Sequence, residues 1–516
     1  MELVSREDPH LREVARFAVC CRALTLLLQA SPALFNLLIP DHAADAFSPP
    51  RLPEPGAGDL LVERLLGGLS RWDAEHFLFI AQRGYLYEHN CAFLPLYPLS
   101  LRALAQGALW PLQRLLGLRS LLLLSAVLLN SLFSVLGATA LYRLGCAVLR
   151  CRRVAFLAAL LFSISPANVF MAAAYSESMF ACLAFSAMWQ LEKGQSWLSG
   201  LLFSLASGVR ANGLVNAGFF LYSHGKRFAF QLQVGSGSIR ELPPLWKQLL
   251  SVAAPSVLAC AGIFLPFALF QYYSYVRFCG PSPEQSVPQP LLQLALDKGY
   301  HLAATDGAKP PWCSQRFPVI YSYIQDVYWN VGFLRYFELR QIPNFLLALP
   351  VTLLGSWAAW TYMAANPRHC LTLGLERRRS EEEGKARAGF CCPAVFVYVV
   401  HATVLLVFGF LCMHVQVLTR FLGSSSPILY WFSAHLLHEQ EPWLWGKGTD
   451  APGTASPSGK PPLDKPPSSP GTCGNPLVRL LQGAASITPL SKCVLGFFLS
   501  YWLLGLVLHC NFLPWT

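Results

Sequence analysis

This sequence predicts an all-α polytopic membrane protein, and three observations carry the prediction. The first is composition: 516 residues, 54% hydrophobic and 13% charged, with mean hydropathy +0.41. Soluble domains carry about 25% charged residues. The second is the recurrence of apolar stretches near the length that crosses a bilayer, about 20 residues. The third is the clustering of basic residues in short loops beside those stretches. Length alone suggests roughly three soluble domains. Composition instead makes residues 1–516 one membrane-embedded body.

The first apolar stretch, Val14 to Ile39, is too long for the apolar core of a signal peptide and lacks a convincing cleavage site. It reads as a signal anchor, its start held in the cytosol by Arg6, Arg12 and Arg16. Further stretches begin near residues 118, 154, 176, 197, 249, 343, 393, 424 and 493. Those near 176 and 424 are short and read as half-helices or re-entrant pieces, tolerated where they line a cavity. The total is about eight to eleven spans, of either parity.

Charge sets the orientation. Arg143, Arg150, Arg152 and Arg153 mark one cytosolic loop, and Lys226, Arg227, Arg240 and Lys247 another. Residues 366–392 form a third, whose run Glu376–Arg387 is a solvated connector. Two long loops then share the opposite side, Pro40–Gly117 and Phe278–Ile342, both rich in aromatic residues and proline. Within the first, Leu61, Leu65, Leu66, Leu69, Phe77 and Ile80 recur at helical spacing. Asp59 to Ala81 thus reads as an amphipathic helix on the membrane plane. On it Asp73 and His76 share a face, and Glu75 points away from Asp73. Trp443 to Gly474 is rich in Pro, Gly, Ser and Lys and reads as a disordered linker.

The net charge of +11 does not signal nucleic acid, because it follows the positive-inside pattern. The sixteen cysteines show no CxxC and no metal-ligand spacing. Cys279 and Cys313 fall near one long loop, where they either pair in an oxidising lumen or stay free thiols.

Four clusters could carry chemistry. Arg71-Trp72-Asp73-Ala74-Glu75-His76-Phe77 combines two carboxylates and an imidazole, in a chain otherwise poor in acid; solvated charges on an interfacial helix are the plainer reading. Glu177 follows Ala174-Tyr175-Ser176, where an acid can simply favour a helix start. Arg210, in Val209-Arg210-Ala211-Asn212-Gly213, lies amid apolar residues and must pair or reach water. Arg420 lies between two apolar runs, in His414-Val415-Gln416-Val417-Leu418-Thr419-Arg420-Phe421. Guanidinium forks match phosphate, so Arg210 and Arg420 are candidate phosphate holders; a structural ion pair is the alternative for Arg420. The second long loop adds Gln325, Asp326, Tyr328, Trp329 and Asn330, amides and rings suited to a sugar or to an aromatic belt. With Trp72 and Asn212 these are the candidate substrate contacts. There is no GxxxxGK[ST] loop, no HExxH and no GxSxG. Loop carboxylates, intramembrane arginines and no nucleotide site point to a lipid-phosphate donor.

The chain resembles the GPI mannosyltransferase 2 (PIG-V) family of GT-C glycosyltransferases. The residues that carry the resemblance are Gly68–Phe77, Ser165–Phe170, Arg210-Ala211-Asn212-Gly213, Gln325–Phe333 and Asn511–Thr516. It runs nearly end to end and is weakest in Trp443–Gly474 and Glu376–Arg387. It implies a GT-C-like bundle with interfacial helices in two long luminal loops, in the endoplasmic reticulum membrane, with a luminal active site. It also implies transfer of the second mannose, in α1,6 linkage and with inversion, from dolichyl-phosphate-mannose to the mannosylated GPI glycolipid precursor. GT-C enzymes commonly place an acid in the first luminal loop, and Asp73 matches that position. On this reading Asp73 is the base, with Glu75 as substitute and His76 beside it. No cofactor is called for beyond the donor, the chemistry needs no metal in principle, and a small accessory membrane subunit is compatible. A lipid or lipid-linked sugar flippase, with Arg210 and Arg420 lining its path, is the rival. Transporters often show related halves, and no internal repeat is visible here. A structural assembly subunit is the third reading.

Overall fold

The computed structural model describes residues 8–29, 46–52, 54–235, 245–280, 287–303, 310–375, 388–445, 474–513 and 515. Among the described residues the regular elements are helices, with no β-strand and one isolated bridge, Tyr87 to Leu302. Five of these helices are long and apolar enough to cross a membrane: Leu118–Leu149, Leu250–Cys279, Leu339–Ala365, Pro393–Cys412 and Pro489–Cys510. The protein is therefore an all-α, multi-span membrane bundle, as its composition predicts. The apolar stretches near 154, 176 and 197 became shorter helices, Arg152–Ser163, Glu177–Glu192 and Ser196–Val209. The one near 424 is broken at Pro427 into Leu418–Ser425 and Ile428–Gln440.

Leu118–Leu149 organises the core. At 32 residues it is about 48 Å long, well beyond the roughly 30 Å hydrocarbon layer. It packs against Pro9–Gln29, Arg152–Ser163 and Glu177–Glu192. Close approach is possible because position 145 is glycine: a Cβ there would lie 2.9 Å from the Ala155 Cβ. The backbone between Ser163 and Glu177, irregular apart from the short helix Asn168–Ala172, is buried, so its polar groups need partners. The Asn130 side chain supplies them from the long helix, donating to the carbonyls of Ala173 and of Tyr175, the latter at 3.0 Å. The Ala174 N–H donates to the Leu69 carbonyl at 3.0 Å, tying this break to the first long loop.

The amphipathic run of that loop is not one helix. It is Ala57–Leu66, a 3-10 turn Gly67–Ser70, and Asp73–Arg83. The chain turns at the Gly67-Gly68 pair and at Trp72, whose φ of 58° is rare for a bulky residue. Leu60, Leu61 and Leu65 stay exposed, as a surface-lying helix requires, while Leu69, Phe77 and Ile80 enter the core. Two other readings need correction. Lys226 and Arg227 lie on the helix Ala217–Gly235, not in a loop. Pro442–Trp445 is an ordered 3-10 turn with Leu444 buried, so the linker cannot start at Trp443; residues 446–473, the connector Glu376–Arg387, Arg6 and Arg240 lie outside the described residues.

The two long loops are joined to each other. The Glu88 N–H donates to the His301 carbonyl at 2.9 Å and the Ala303 N–H to the Leu86 carbonyl at 3.1 Å. The buried Glu88 carboxylate accepts from Trp312 Nε1 at 2.6 Å and from the Tyr328 hydroxyl at 2.9 Å. Cys279 and Cys313, left open by the sequence, form a disulfide that fastens a helix end to the second loop.

Candidate active site

A cavity of about 420 Å³ opens where these loops meet the bundle. The helix Asp73–Arg83 starts on its wall, and Asp73 is the first residue of that helix, its N–H donating to the Tyr175 hydroxyl at 3.2 Å. The turn at Trp72 aims the carboxylate into the cavity, with 30% of the side chain exposed. Its partner comes from the far end of the sequence. Arg420 Nη2 lies 2.7 Å from Asp73 Oδ2, and Arg420 Nη1 lies 3.2 Å from Glu177 Oε1. Glu177 is fully buried and also meets Arg210 Nη1 at 2.5 Å. Two carboxylates and two guanidiniums thus alternate along one wall. Burial disfavours the charged form of Asp73, but the neighbouring charges, Arg420 foremost, together outweigh it and hold the carboxyl below its ordinary value.

Arg210 reaches the wall because the helix Ser196–Val209 ends just before it. The chain then folds back so tightly that a Cβ on Gly213 would lie 2.7 Å from the backbone of Ser207. Asn212 Nδ2 donates to Ser425 Oγ at 2.8 Å. His76 lies between the rings of Phe47 and Phe93, centroids 4.4 and 4.7 Å away and nearly parallel. Its Nδ1 is 3.2 Å from Asn90 Oδ1. Burial lowers the imidazole below its ordinary value, which keeps it neutral near pH 7. Across the cavity Tyr321, Gln325, Trp329 and His414 complete the lining.

A second cavity, about 550 Å³, lies beside the first and is almost wholly apolar, with Ile80, Leu96, Gly208, Pro266 and Phe270 among its walls. Gly208 faces this space and Arg210 the polar one, two residues apart. The longer wall is the helix Leu245–Cys279, whose internal Pro266 removes a helical N–H.

The profile of the family described as Mannosyltransferase (PIG-V) matches residues 11–516. The chain belongs to that family. It is therefore a glycosyltransferase of the mannosyltransferase kind. It is 59% identical over 510 residues to the mouse protein named GPI alpha-1,6-mannosyltransferase 2, covering 99% of each chain. It is 57% identical over 511 residues to the human protein of that name, again with 99% of each covered. The Drosophila melanogaster protein named GPI mannosyltransferase 2 is 32% identical over 428 residues, 82% of this chain and 90% of that one. Among solved structures, the Archaeoglobus fulgidus oligosaccharyltransferase AglB is similar at TM-score 0.45 and 13% identity. That match covers 95% of this chain, which spans 56% of the archaeal protein.

Of the residues singled out in the sequence, Trp72, Asp73, His76, Arg210, Asn212, Gln325, Trp329 and Arg420 line the cavity, and Glu177 lies behind its two arginines. The others fall elsewhere. Glu75 faces the core, where Arg119 Nη1 and Nη2 grip its two oxygens at 2.6 and 2.7 Å. Asp326 pairs with Arg335 on an exposed surface. Tyr328 binds Glu88, and Asn330 occupies a turn with φ 50°. Sequence reasoning passed over Phe47, Phe93, Asn90, Ser176, Tyr321 and the pairing role of Arg119. Only Arg119 left a signal, as a cation opening the longest apolar stretch.

Proposed function

We propose that this mannosyltransferase adds an α1,6-linked mannose, the second, to a mannosylated GPI glycolipid in the endoplasmic reticulum membrane. Dolichyl-phosphate-mannose is the donor and the cavity faces the lumen. The observation that carries this reading is the charged wall set against an apolar recess. A sugar on a lipid phosphate needs a cationic point for the phosphate, room for a sugar on one side, and apolar space for a chain on the other. Arg210 and Arg420 sit where those requirements meet.

The acceptor hydroxyl oxygen attacks the anomeric carbon as the bond from that carbon to the phosphate oxygen breaks. The electron pair leaves with dolichyl phosphate, the proton passes to Asp73, and the anomeric centre inverts. A base within hydrogen-bond reach is worth about 10²–10⁴-fold. In the product the phosphate is a monoester, with roughly one more negative charge than in the donor, while Asp73 has lost its own. The local charge is conserved and only moves. Arg420, bonded to Asp73 at rest, is free to follow it onto the leaving phosphate, the place where charge develops.

The disulfide, which suits an oxidising compartment, supports luminal placement of the loops. The chain contains no N-x-[ST] sequon; sequons built into Pro40–Gly117 and Phe278–Ile342, clear of the bilayer, should be glycosylated. Modification within Glu376–Arg387 instead would overturn the topology. The deciding assay supplies dolichyl-phosphate-mannose and a monomannosylated GPI to deficient microsomes carrying this protein. Elongation by one mannose is expected. Lipid movement across the membrane without elongation would instead establish the flippase reading.

A further inference from the structure

The motif Asn511–Thr516, singled out in the sequence, has no part in the chemistry above, yet its described residues pack against the residues that precede Asp73 and against a ring that Arg420 sits over. After the span Pro489–Cys510 the chain turns back on itself. The Phe512 N–H donates to the His509 carbonyl at 3.4 Å and the Leu513 N–H to the Leu508 carbonyl at 2.9 Å, and Phe512 adopts φ 55°. This places the Phe512 ring under the residues that precede Asp73. The Arg71 guanidinium carbon is 4.4 Å from the ring centroid, within cation–π range. The Trp72 ring meets it edge-on at 5.6 Å.

Trp515, 1% exposed, lies behind the seat of the other partner, one ring removed from it. It lies 6.4 Å from Phe170 at 16° and 5.3 Å from Tyr501 at 63°. Phe170 is in turn the ring over which the Arg420 guanidinium sits, at 5.2 Å. One short segment therefore backs the approach to Asp73 with one ring and the seat of Arg420 with another. Trp72, with φ 58° and ψ −128°, holds a backbone conformation that persists only where surroundings over-determine it. Phe512 is part of those surroundings.

We infer that Phe512 and Trp515 are positioning residues for mannosyl transfer: their two rings form a clasp that holds the Trp72 turn and the seat of Arg420 and keeps Asp73 aimed at the cavity. This rests on the reading of Asp73 as the base. Neither ring lines the cavity, so the clasp touches no substrate itself and reaches the cavity only through the residues it holds. Displacing a base by about 1 Å costs on the order of 10²-fold; a partial loss of aim is expected to cost about tenfold.

The test measures kcat and KM for donor and acceptor per molecule of purified full-length enzyme. Phe512→Ala should lower kcat about tenfold, with both KM values changed by less than that. Phe512→Trp, which restores a ring, should recover most of the loss. Should Phe512→Ala not accumulate, Phe512→Leu, which keeps apolar bulk without the ring, is judged by the same criterion. Trp515→Leu should behave likewise, and Phe512→Ala should cost nothing further in an Asp73→Asn background. Normal kcat per molecule with reduced abundance would overturn the clasp, as would a loss confined to KM. Full turnover in Asp73→Asn would instead overturn the choice of base. The two failures are therefore distinguishable.

Discussion

Two cavities flank the Gly208–Arg210 stretch, and they differ in kind. The one toward Arg210 is walled by Asp73, Arg420 and Arg210, with aromatic and amide groups opposite. The one toward Gly208 is larger and nearly free of polar groups. An unpaired charge in low dielectric is costly, so the acids and bases of the first are set against one another. The second has one charged side chain among its described walls, Arg102, and no carboxylate set against it. Chemistry belongs to the side where charge can move between partners, and the apolar side can contribute only affinity. Variants in the two should therefore fail differently.

The largest effect is expected at Asp73. Asp73→Asn keeps size and one acceptor oxygen but removes the base. Turnover should fall by about 10²-fold or more, equally for every donor, while protein abundance holds. Restoration of surface GPI-anchored proteins in deficient cells at matched low expression would measure it. Wild-type restoration would remove Asp73 from the mechanism and make the charged wall purely structural.

Gly208→Leu probes the other side. A Cβ at Gly208 would sit 3.6 Å from Pro266 and 3.7 Å from Leu96, an ordinary contact, so Gly208→Ala should be silent. A leucine projects into the recess. If the recess holds the isoprenoid chain, the donor KM should rise about tenfold, the worth of roughly two buried methylenes. A mannosyl phosphate on a short prenyl chain should lose nothing. An equal loss for both donors would show that the comparison between the cavities is drawn in the wrong place.

How much of this was written in the sequence depends on the range of the interaction. The helices were legible because each apolar stretch is local and the bilayer length is known. Asp73, Arg210 and Arg420 were legible because charge amid apolar residues needs an explanation. What could not be read was pairing. Nothing local says that Glu177 serves Arg210 and Arg420 together, with 243 residues separating it from the latter. Helical spacing correctly turned Glu75 away from Asp73, but that Arg119 would saturate it depends on how two helices dock. The break at Trp72 escaped because the leucine spacing around it continues through the turn. The long contact between Glu88 and Trp312 escaped because both lie in loops without periodicity.

A smaller effect, read as a displacement, is the pH dependence. As the proposed base Asp73 must be ionised to act, and neighbouring charges, Arg420 foremost, hold its carboxyl below the ordinary carboxylate value despite burial. Activity should therefore persist as pH falls and be lost only below about 4, the ordinary Asp range. Arg420→Gln removes the foremost of the groups that oppose burial, so the acidic limb should move to higher pH, on top of any fall in maximal rate. An unmoved limb would mean that the titrating group is not Asp73. Gly208→Leu, on the apolar side, should leave the limb where it is.

The smallest effect on turnover is expected at Glu75, two residues from Asp73 and on the opposite face. Both its oxygens are taken by Arg119, at 2.6 and 2.7 Å, and the residue is buried. A carboxylate so saturated has no lone pair aimed at the cavity and cannot stand in as base. Glu75→Gln should thus leave turnover per folded molecule within about twofold of wild type, far less than the effect of losing a general base. It strands Arg119 as a poorly paired cation, which costs about 3 kcal/mol for a buried pair, so abundance and thermal stability should drop. Replacing both partners, Glu75→Gln with Arg119→Met, removes the stranded charge and should recover much of that stability. Comparing melting temperature with turnover across the single and double variants separates the two roles. A loss of turnover in Glu75→Gln that rivals Asp73→Asn, at normal stability, would return Glu75 to the chemistry and erase the distinction between an acid that faces a cavity and one that faces a core.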